Sequence, residues 1–382
     1  MKPQSIYLDC NATTPLEPAV REAMFHYFDE EFGNAGSRTH EYGTRAKTAV
    51  QAAREQVAAV AGADREEVIF TSGATESDNL AILGLVPELL RSGKRHVITT
   101  QIEHKAVLEP FEHLAENGFD VTFIPASSGG YVEPDCVRKA LRPDTGLVSV
   151  MHANNETGVL QPVAEIAAAL DGHPAFYHVD AAQGFGKDLP TLRNKRIDLI
   201  SVSAHKIYGP KGVGALIARR RGFVKPPLAP LMFGGGQERG LRPGTLPVPL
   251  IVGLGVACKL ALENHAVRSE RCQAIRHAAL AALGRLSPAV NGEAGRTLPH
   301  VLNVSIKGVD SDAAMVALKE IVAISNGSAC TSASYKPSHV LSAMGLAEDR
   351  INGALRLSWC HLTPDVDWGR VADALQSCMV KS

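Results

Sequence analysis

From Val68 onward, short apolar runs alternate with longer amphipathic ones. "EEVIF" precedes "ESDNLAILGLVPELL", "RHVITT" precedes "KAVLEPFEHLAENG", and "VTFIP", "GLVSVMH", "FYHVD", "DLISVSA" and "VGALIA" follow, the fourth of these seven apolar runs leading into "VAEIAAALDG". Runs rich in Val, Ile and Phe, separated by helix-length segments, predict βαβ units and a mostly parallel, buried sheet. Near Leu254 the texture changes. "GLGVACKLALENHAVRSERCQAIRHAALAALGRL" keeps helical apolar spacing without a convincing break, which predicts one long connecting helix. After it, "HVLNVSIKG" and "GALRLSWC" read as strands, and "DAAMVALKEI", "SHVLSAMG" and "WGRVADALQSCMV" as helices, a smaller α/β lobe. There is no internal repeat and no low-complexity segment.

Length supports this division, because 382 residues exceed the size at which one core usually stops growing. Hydrophobic residues make up 45% and charged residues 21%, the composition of a globular protein. With 39 Lys and Arg against 40 Asp and Glu, no global field draws the chain to nucleic acid or anionic membrane. The one dense basic run, Arg219 to Arg221, reads as a solvated turn after a strand. No stretch is apolar enough for a signal peptide or a membrane span, so a cytoplasmic location is expected. Seven cysteines without a C-x-x-C pair, in a chain too large to need staples, imply reduced thiols.

Ligands of open parallel sheets bind beyond the carboxyl ends of the strands. Here those ends run into "TSGATESDN", "QIEHK", "HANNETG", "DAAQG" and "AHKIYGPKG". The turn at Thr71 to Glu76 couples a strand to a helix through glycine and offers an anion site of backbone N–H groups. Equally, Thr75 with Asp78 three residues on fits a plain capping box. Asp180 closes an apolar strand and needs a cation; on residue types alone, a structural pairing with Lys206 is the simpler expectation. A lysine in a partly desolvated crevice, however, loses its charge readily and becomes a nucleophilic amine. An aldehyde cofactor with a phosphate and a protonated pyridine nitrogen needs a lysine, an anion cup and a carboxylate. Lys206, the Ala74–Thr75 turn and Asp180 supply them, which points to pyridoxal 5'-phosphate.

Eight segments in order, "YLDCNATTP", "FTSGATESDNLAI", "EHKAVL", "NNETGV", "HVDAAQ", "SAHKIYGPKGVGAL", "GGGQERGLRPGTLP" and "GSACTSAS", resemble the pyridoxal-phosphate-dependent cysteine desulfurases of the NifS and IscS type. The likeness runs from Tyr7 to about Leu362. It implies the fold type I aminotransferase architecture, with a large cofactor domain over 16–260 and a small domain made of 1–15 and 261–382 that carries the catalytic cysteine. It also implies a homodimer that converts L-cysteine to L-alanine and leaves sulfur as a persulfide for an acceptor protein. By the same resemblance, Lys206 bonds the cofactor and moves the Cα proton, Asp180 keeps the pyridine nitrogen protonated, and His104 stacks on the ring as an acid/base. Asn155 and Gln183 orient ring and substrate. Ala74, Thr75, Ser203 and His205 bind phosphate, Thr245 reaches in from the second subunit, and Arg356 clamps the substrate carboxylate.

Cys330 sits among small polar residues, unlike the other six cysteines, and takes the persulfide role. Two departures stand out: Ala204 where many relatives have glycine, and Cys10 where they often carry an aromatic or polar residue. The chain ends soon after its last helix, which leaves the acceptor open among iron–sulfur cluster assembly, thionucleoside synthesis and DNA phosphorothioation. A selenocysteine lyase or other lyase on the same scaffold is the alternative enzyme. A metal-binding protein using His104, His152, His205 and Asp180, or a sulfur relay, is the alternative of another class; the histidine spacings match no compact metal motif.

Overall fold

The computed structural model describes residues 5–326 and 337–379. Its strands, in chain order, are β1 (Ile6–Tyr7), β2 (Val68–Thr71), β3 (His96–Thr100), β4 (Asp120–Ile124), β5 (Thr145–Ser149), β6 (Phe176–Asp180), β7 (Leu199–Ser203), β8 (Gly214–Ala218), β9 (Ala289–Val290), β10 (Val301–Ser305), β11 (Val322–Ala323) and β12 (Ala354–Ser358). Each of the seven apolar runs noted from Val68 onward becomes a strand of one sheet ordered β2-β8-β7-β6-β5-β3-β4. Six strands run one way and β8 is antiparallel to both neighbours.

Helices cover both faces of this sheet, and strand alternation decides which side chain meets which face. In β6, Tyr177 and Val179 join the core beneath the helices Glu41–Ala61 and Val248–Glu263. His178 and Asp180 therefore point the other way, towards the helix Ala74–Leu83. Leu199, Ser201 and Ser203 of β7 share that face, where a separate core forms with Leu80, Val107 and Phe111. The helix Val248–Glu263 comes so close to Glu41–Ala61 that a Cβ on Gly255 would lie 2.6 Å from the Ala53 Cα, so only glycine fits there.

Around the second lobe, β10 pairs antiparallel with β12 and β9, and β1 pairs parallel with β11. Its core joins Leu8 to residues from Cys272, Leu302, Leu355, Trp359 and Leu375. The N-terminal segment thus enters this lobe before the chain builds the large sheet.

Two expectations give way. The long helix is broken at Asn264 into Val248–Glu263 and His265–Leu283, bent by 77°. The Asn264 amide turns back to donate to the Leu260 carbonyl at 3.1 Å, a local bond that competes with helix continuation. Nor is the basic run solvated throughout: Arg219 is buried and donates to the carbonyls of Ala61, Leu192 and Asn194, while the exposed Arg221 forks onto Asp198. Guanidinium groups gather otherwise orphaned carbonyls well, and here they tie the end of β8 to neighbouring turns. Among the described residues no single helix is long and apolar enough to cross a membrane.

Candidate active site

The carboxyl ends of β2, β5, β6 and β7 open into a cleft of about 610 Å³. Ala74, Thr75, His104, Asn155, Asp180, Gln183, Ser203, His205, Lys206 and Arg356 all line it, side chains drawn from positions 74 to 356. Thr245 is exposed and does not line the cleft. Cys330 lies outside the described residues.

Lys206 ends the short turn Ala204–Lys206 that follows β7. Its Nζ donates to the carbonyls of Asn11 at 2.5 Å and Ala12 at 2.8 Å and forms no ion pair with Asp180, so the structural pairing is not realised. Burial, then the nearby positive charges of Lys187 and Arg356, pull its pKa down to about 7. The turn is fixed by the N-terminal segment: Thr14 Oγ1 donates to the His205 carbonyl and accepts from the Tyr208 N–H, each at 3.0 Å. Thr13 Oγ1 lies 3.1 Å from His205 Nδ1 and sets the imidazole's orientation.

Asp180 is buried on the cleft floor, where its Oδ1 accepts from the Ala182 N–H at 2.9 Å. Burial, reinforced by Asp78, pushes its carboxyl up to about 6. Such a group gains most from a cation placed directly above it. His104 caps the helix Lys105–Glu116 through Nδ1, which accepts from Ala106 N–H at 3.1 Å; this leaves Nε2 as the protonated nitrogen of a ring that burial keeps neutral.

At the end of β2, Gly73 adopts φ 157° and the helix begins at Ala74. The approach is tight, since a Cβ on Gly214 would meet the Gly73 Cα at 2.6 Å. The Thr75–Asp78 capping box does not form. Instead Glu76 accepts from the Ser72 N–H and pairs with Arg242, while Asp78 is turned inward, fully buried, with its Oδ1 3.5 Å from His178 Nε2. The first-turn N–H groups of this helix, with Ser203 and His205, form a cup suited to a phosphate.

Arg356, in β12, donates from Nη2 to Asp9 Oδ1 at 2.7 Å and from Nη1 to the Asn155 carbonyl at 3.1 Å. Gln183 Nε2 donates to the Asn11 carbonyl at 2.9 Å, whereas Gln183 Oε1 and Asn11 Oδ1 are buried with no partner among the described residues. Two such acceptors in a cleft that already holds an amine, a buried carboxylate on its floor and an anion cup fit a polar aromatic cofactor with a phosphate. No group of three potential metal ligands occurs among the described residues, so the histidines named for a metal share no such cluster.

Three contributions were not legible as roles in the sequence. Asn11 and Ala12 act through backbone carbonyls, which carry no residue signature. Asp78 resembled a cap, and its deep burial follows from the helix lying over β6. The segment "YLDCNATTP", one of those that carry the resemblance, was the available signal for Asn11.

The aminotransferase class-V family matches residues 6–367. Cysteine desulfurase IscS of Anaeromyxobacter sp. is 48% identical over 362 residues, 94% of this chain and 89% of that protein. Among solved structures, DndA of Streptomyces lividans is 52% identical with a TM-score of 0.82, covering 93% of this chain and 99% of that one. SspA in complex with cysteine is 38% identical with a TM-score of 0.82, covering 93% and 98%.

Proposed function

The chain belongs to the class-V aminotransferase family and is a cysteine desulfurase; on that premise we propose that its cleft holds pyridoxal phosphate and L-cysteine and that Cys330 receives the sulfur. The observation that carries this reading is the Lys206 amine, held by two backbone carbonyls with its pKa lowered to about 7, facing a cleft with Asp180 on its floor. When bound, pyridoxal phosphate supplies an aldehyde for amines and an electron sink for charge at Cα.

The protein's own groups do the rest. The Ala74–Thr75 turn, Ser203 and His205 hold the phosphate, and Asp180 holds a proton on the pyridine nitrogen. Gln183 Oε1 and Asn11 Oδ1 are the acceptors for the remaining polar edge, and His104 presents Nε2–H from one side. Arg356 and Asn155 fix the substrate carboxylate so that its Cα lies within reach of Lys206, which, readily neutral because its pKa is lowered, takes the Cα proton. The Cys330 thiolate then attacks the substrate sulfur. An S–S bond forms as Cβ–Sγ breaks, and the electron pair stays with the carbon fragment, which is protonated to alanine.

The complex of SspA with cysteine supports the substrate, and the desulfurase relatives support a protein acceptor for the persulfide. We further propose the homodimer, with Thr245 completing the partner's phosphate site. Exposed Leu231, Met232 and Phe233, the last 90% exposed, lie in the same segment as Thr245 and favour burial in a subunit contact. The separate cores favour the division at 16–260 against 1–15 and 261–382.

The test is paired. Lys206→Ala should abolish alanine formation and the visible absorption of the cofactor-loaded protein. Cys330→Ser should keep that absorption and its change on adding L-cysteine, yet release no sulfur. Borohydride fixing the cofactor on Lys211, the other lysine lining the cleft, would refute the assignment.

A further inference from the structure

Beside the cleft, but outside it, lies a second group of reactive side chains that the desulfuration reaction does not use. Cys10 and Cys360 are each 1% exposed and pack together against Tyr208. Their backbones are neighbours for a topological reason. Asp9 and Ser358 form a parallel bridge, the Cys10 N–H donates to the Ser358 carbonyl at 3.0 Å, and the Asn11 N–H to Ser358 Oγ at 2.9 Å. Cys360 Sγ accepts from Thr363 Oγ1 at 3.7 Å.

Lys187 is buried in the same neighbourhood. Its Nζ lies 3.2 Å from His300 Nε2, and its acidic neighbours are the thiols of Cys10, Cys272 and Cys360. An ammonium enclosed among thiols favours a thiolate, and of the packed pair Cys360, which also accepts from the Thr363 hydroxyl, is the one whose pKa is lowered by the contact while that of Cys10 rises. A cavity of about 30 Å³, enough for one water-sized molecule, is lined by Lys187, Tyr208, Cys272 and His300 and so shares Lys187 and Tyr208 with the surroundings of the pair.

We propose that Cys10 and Cys360 form a dithiol modification site, converted by hydrogen peroxide into a disulfide that ties the segment carrying Asn11 to the strand end carrying Arg356. The chemistry balances in two steps. The Cys360 thiolate attacks one peroxide oxygen, the O–O bond breaks, and the departing hydroxide takes a proton to become water, leaving Cys360 as a sulfenic acid. The Cys10 sulfur then attacks the Cys360 sulfur, the S–O bond breaks, and the hydroxyl leaves with the Cys10 proton as a second water. Two thiols lose two electrons in all and peroxide gains them. A water-sized oxidant suits thiols that no larger disulfide can approach. Because the Asn11 carbonyl holds both Lys206 Nζ and Gln183 Nε2, the new bond acts next to the catalytic amine.

The test is peptide mapping of the cofactor-loaded protein after peroxide, with alkylation under unfolding, non-reducing conditions. The expected result is one cross-linked pair of peptides containing Cys10 and Cys360, two hydrogens lighter than their sum and separated by dithiothreitol. Cys10→Ala should remove the cross-link and leave Cys360 as a sulfenic acid trapped by dimedone; Cys360→Ala should leave Cys10 fully alkylated. Full alkylation of both cysteines in treated wild-type protein would overturn the proposal. So would linkage of either one to Cys272 instead.

Discussion

Replacing Glu238 by alanine tests how the glycine-rich segment ahead of Thr245 is anchored to the body of the protein. Glu238 Oε1 accepts from Arg54 Nη2 at 2.6 Å, and Oε2 accepts from Arg54 Nη1 and from the Phe70 N–H, each at 2.7 Å. The two side chains are 2% and 6% exposed, so solvent screens the pair little. Glu238 and Arg239 both sit at positive φ, 47° and 60°, a conformation that the buried pair holds in place. Truncating one partner of a buried pair typically costs about 3–5 kcal/mol, because the remaining charge is left uncompensated. Here Arg54 keeps only the Val68 carbonyl, at 2.8 Å, and the face of Phe70, while the Phe70 N–H loses its acceptor.

The expected loss is therefore about 4 kcal/mol, read from the midpoint of urea unfolding at unchanged slope. Glu238→Gln keeps an acceptor for Phe70 and should cost roughly half as much, on the order of a charge-assisted hydrogen bond. Replacing both partners with leucine and methionine should recover most of the stability, since the desolvation penalty disappears with the charges. If Glu238→Ala costs less than about 1 kcal/mol, the value of an exposed pair, the reasoning from burial is wrong.

Arg356→Lys keeps the charge and loses the planar fork, so the Michaelis constant for L-cysteine should rise roughly 10- to 100-fold, the loss of one charge-assisted bond, with a smaller effect on kcat; an unchanged constant in alanine-formation kinetics would remove Arg356 from the substrate site. Without cofactor, Lys206 titrates at about 7 in the folded chain against 10.5 in its ordinary state. Between these values the unfolded chain binds more protons, so stability rises with pH by at most about 1.4 kcal/mol per pH unit. Lys206→Met should lose this increment, and identical stability profiles of variant and wild type between pH 7 and 10 would contradict the buried amine.

The arrangement of the candidate site was largely legible because parallel strands announce themselves locally. An apolar run long enough to cross the sheet, followed at once by Thr, His, Asn, Asp or Lys, places those residues at a carboxyl edge whatever the rest of the chain does. The rule placed Lys206, Asp180 and His104 at strand ends, and the resemblance carried in "EHKAVL", "HVDAAQ" and "SAHKIYGPKGVGAL" suggested what each does there.

What only the tertiary structure decided are pairings between distant segments. Arg219 looks solvated until the carbonyls of Ala61, Leu192 and Asn194 close around it. Asp78 looks like a cap until the helix Ala74–Leu83 lies across β6 and turns it onto His178. Asn264 breaks a helix that apolar spacing alone would continue, because its amide competes for a carbonyl one turn back. The carbonyls of Asn11 and Ala12 reach Lys206 across more than half the chain, and backbone groups have no sequence signature. Local propensity and alternation are written into neighbouring residues and survive in isolation. Burial, the lowered pKa of Lys206 and the meeting of Cys10 with Cys360 exist only once remote segments exclude water between them.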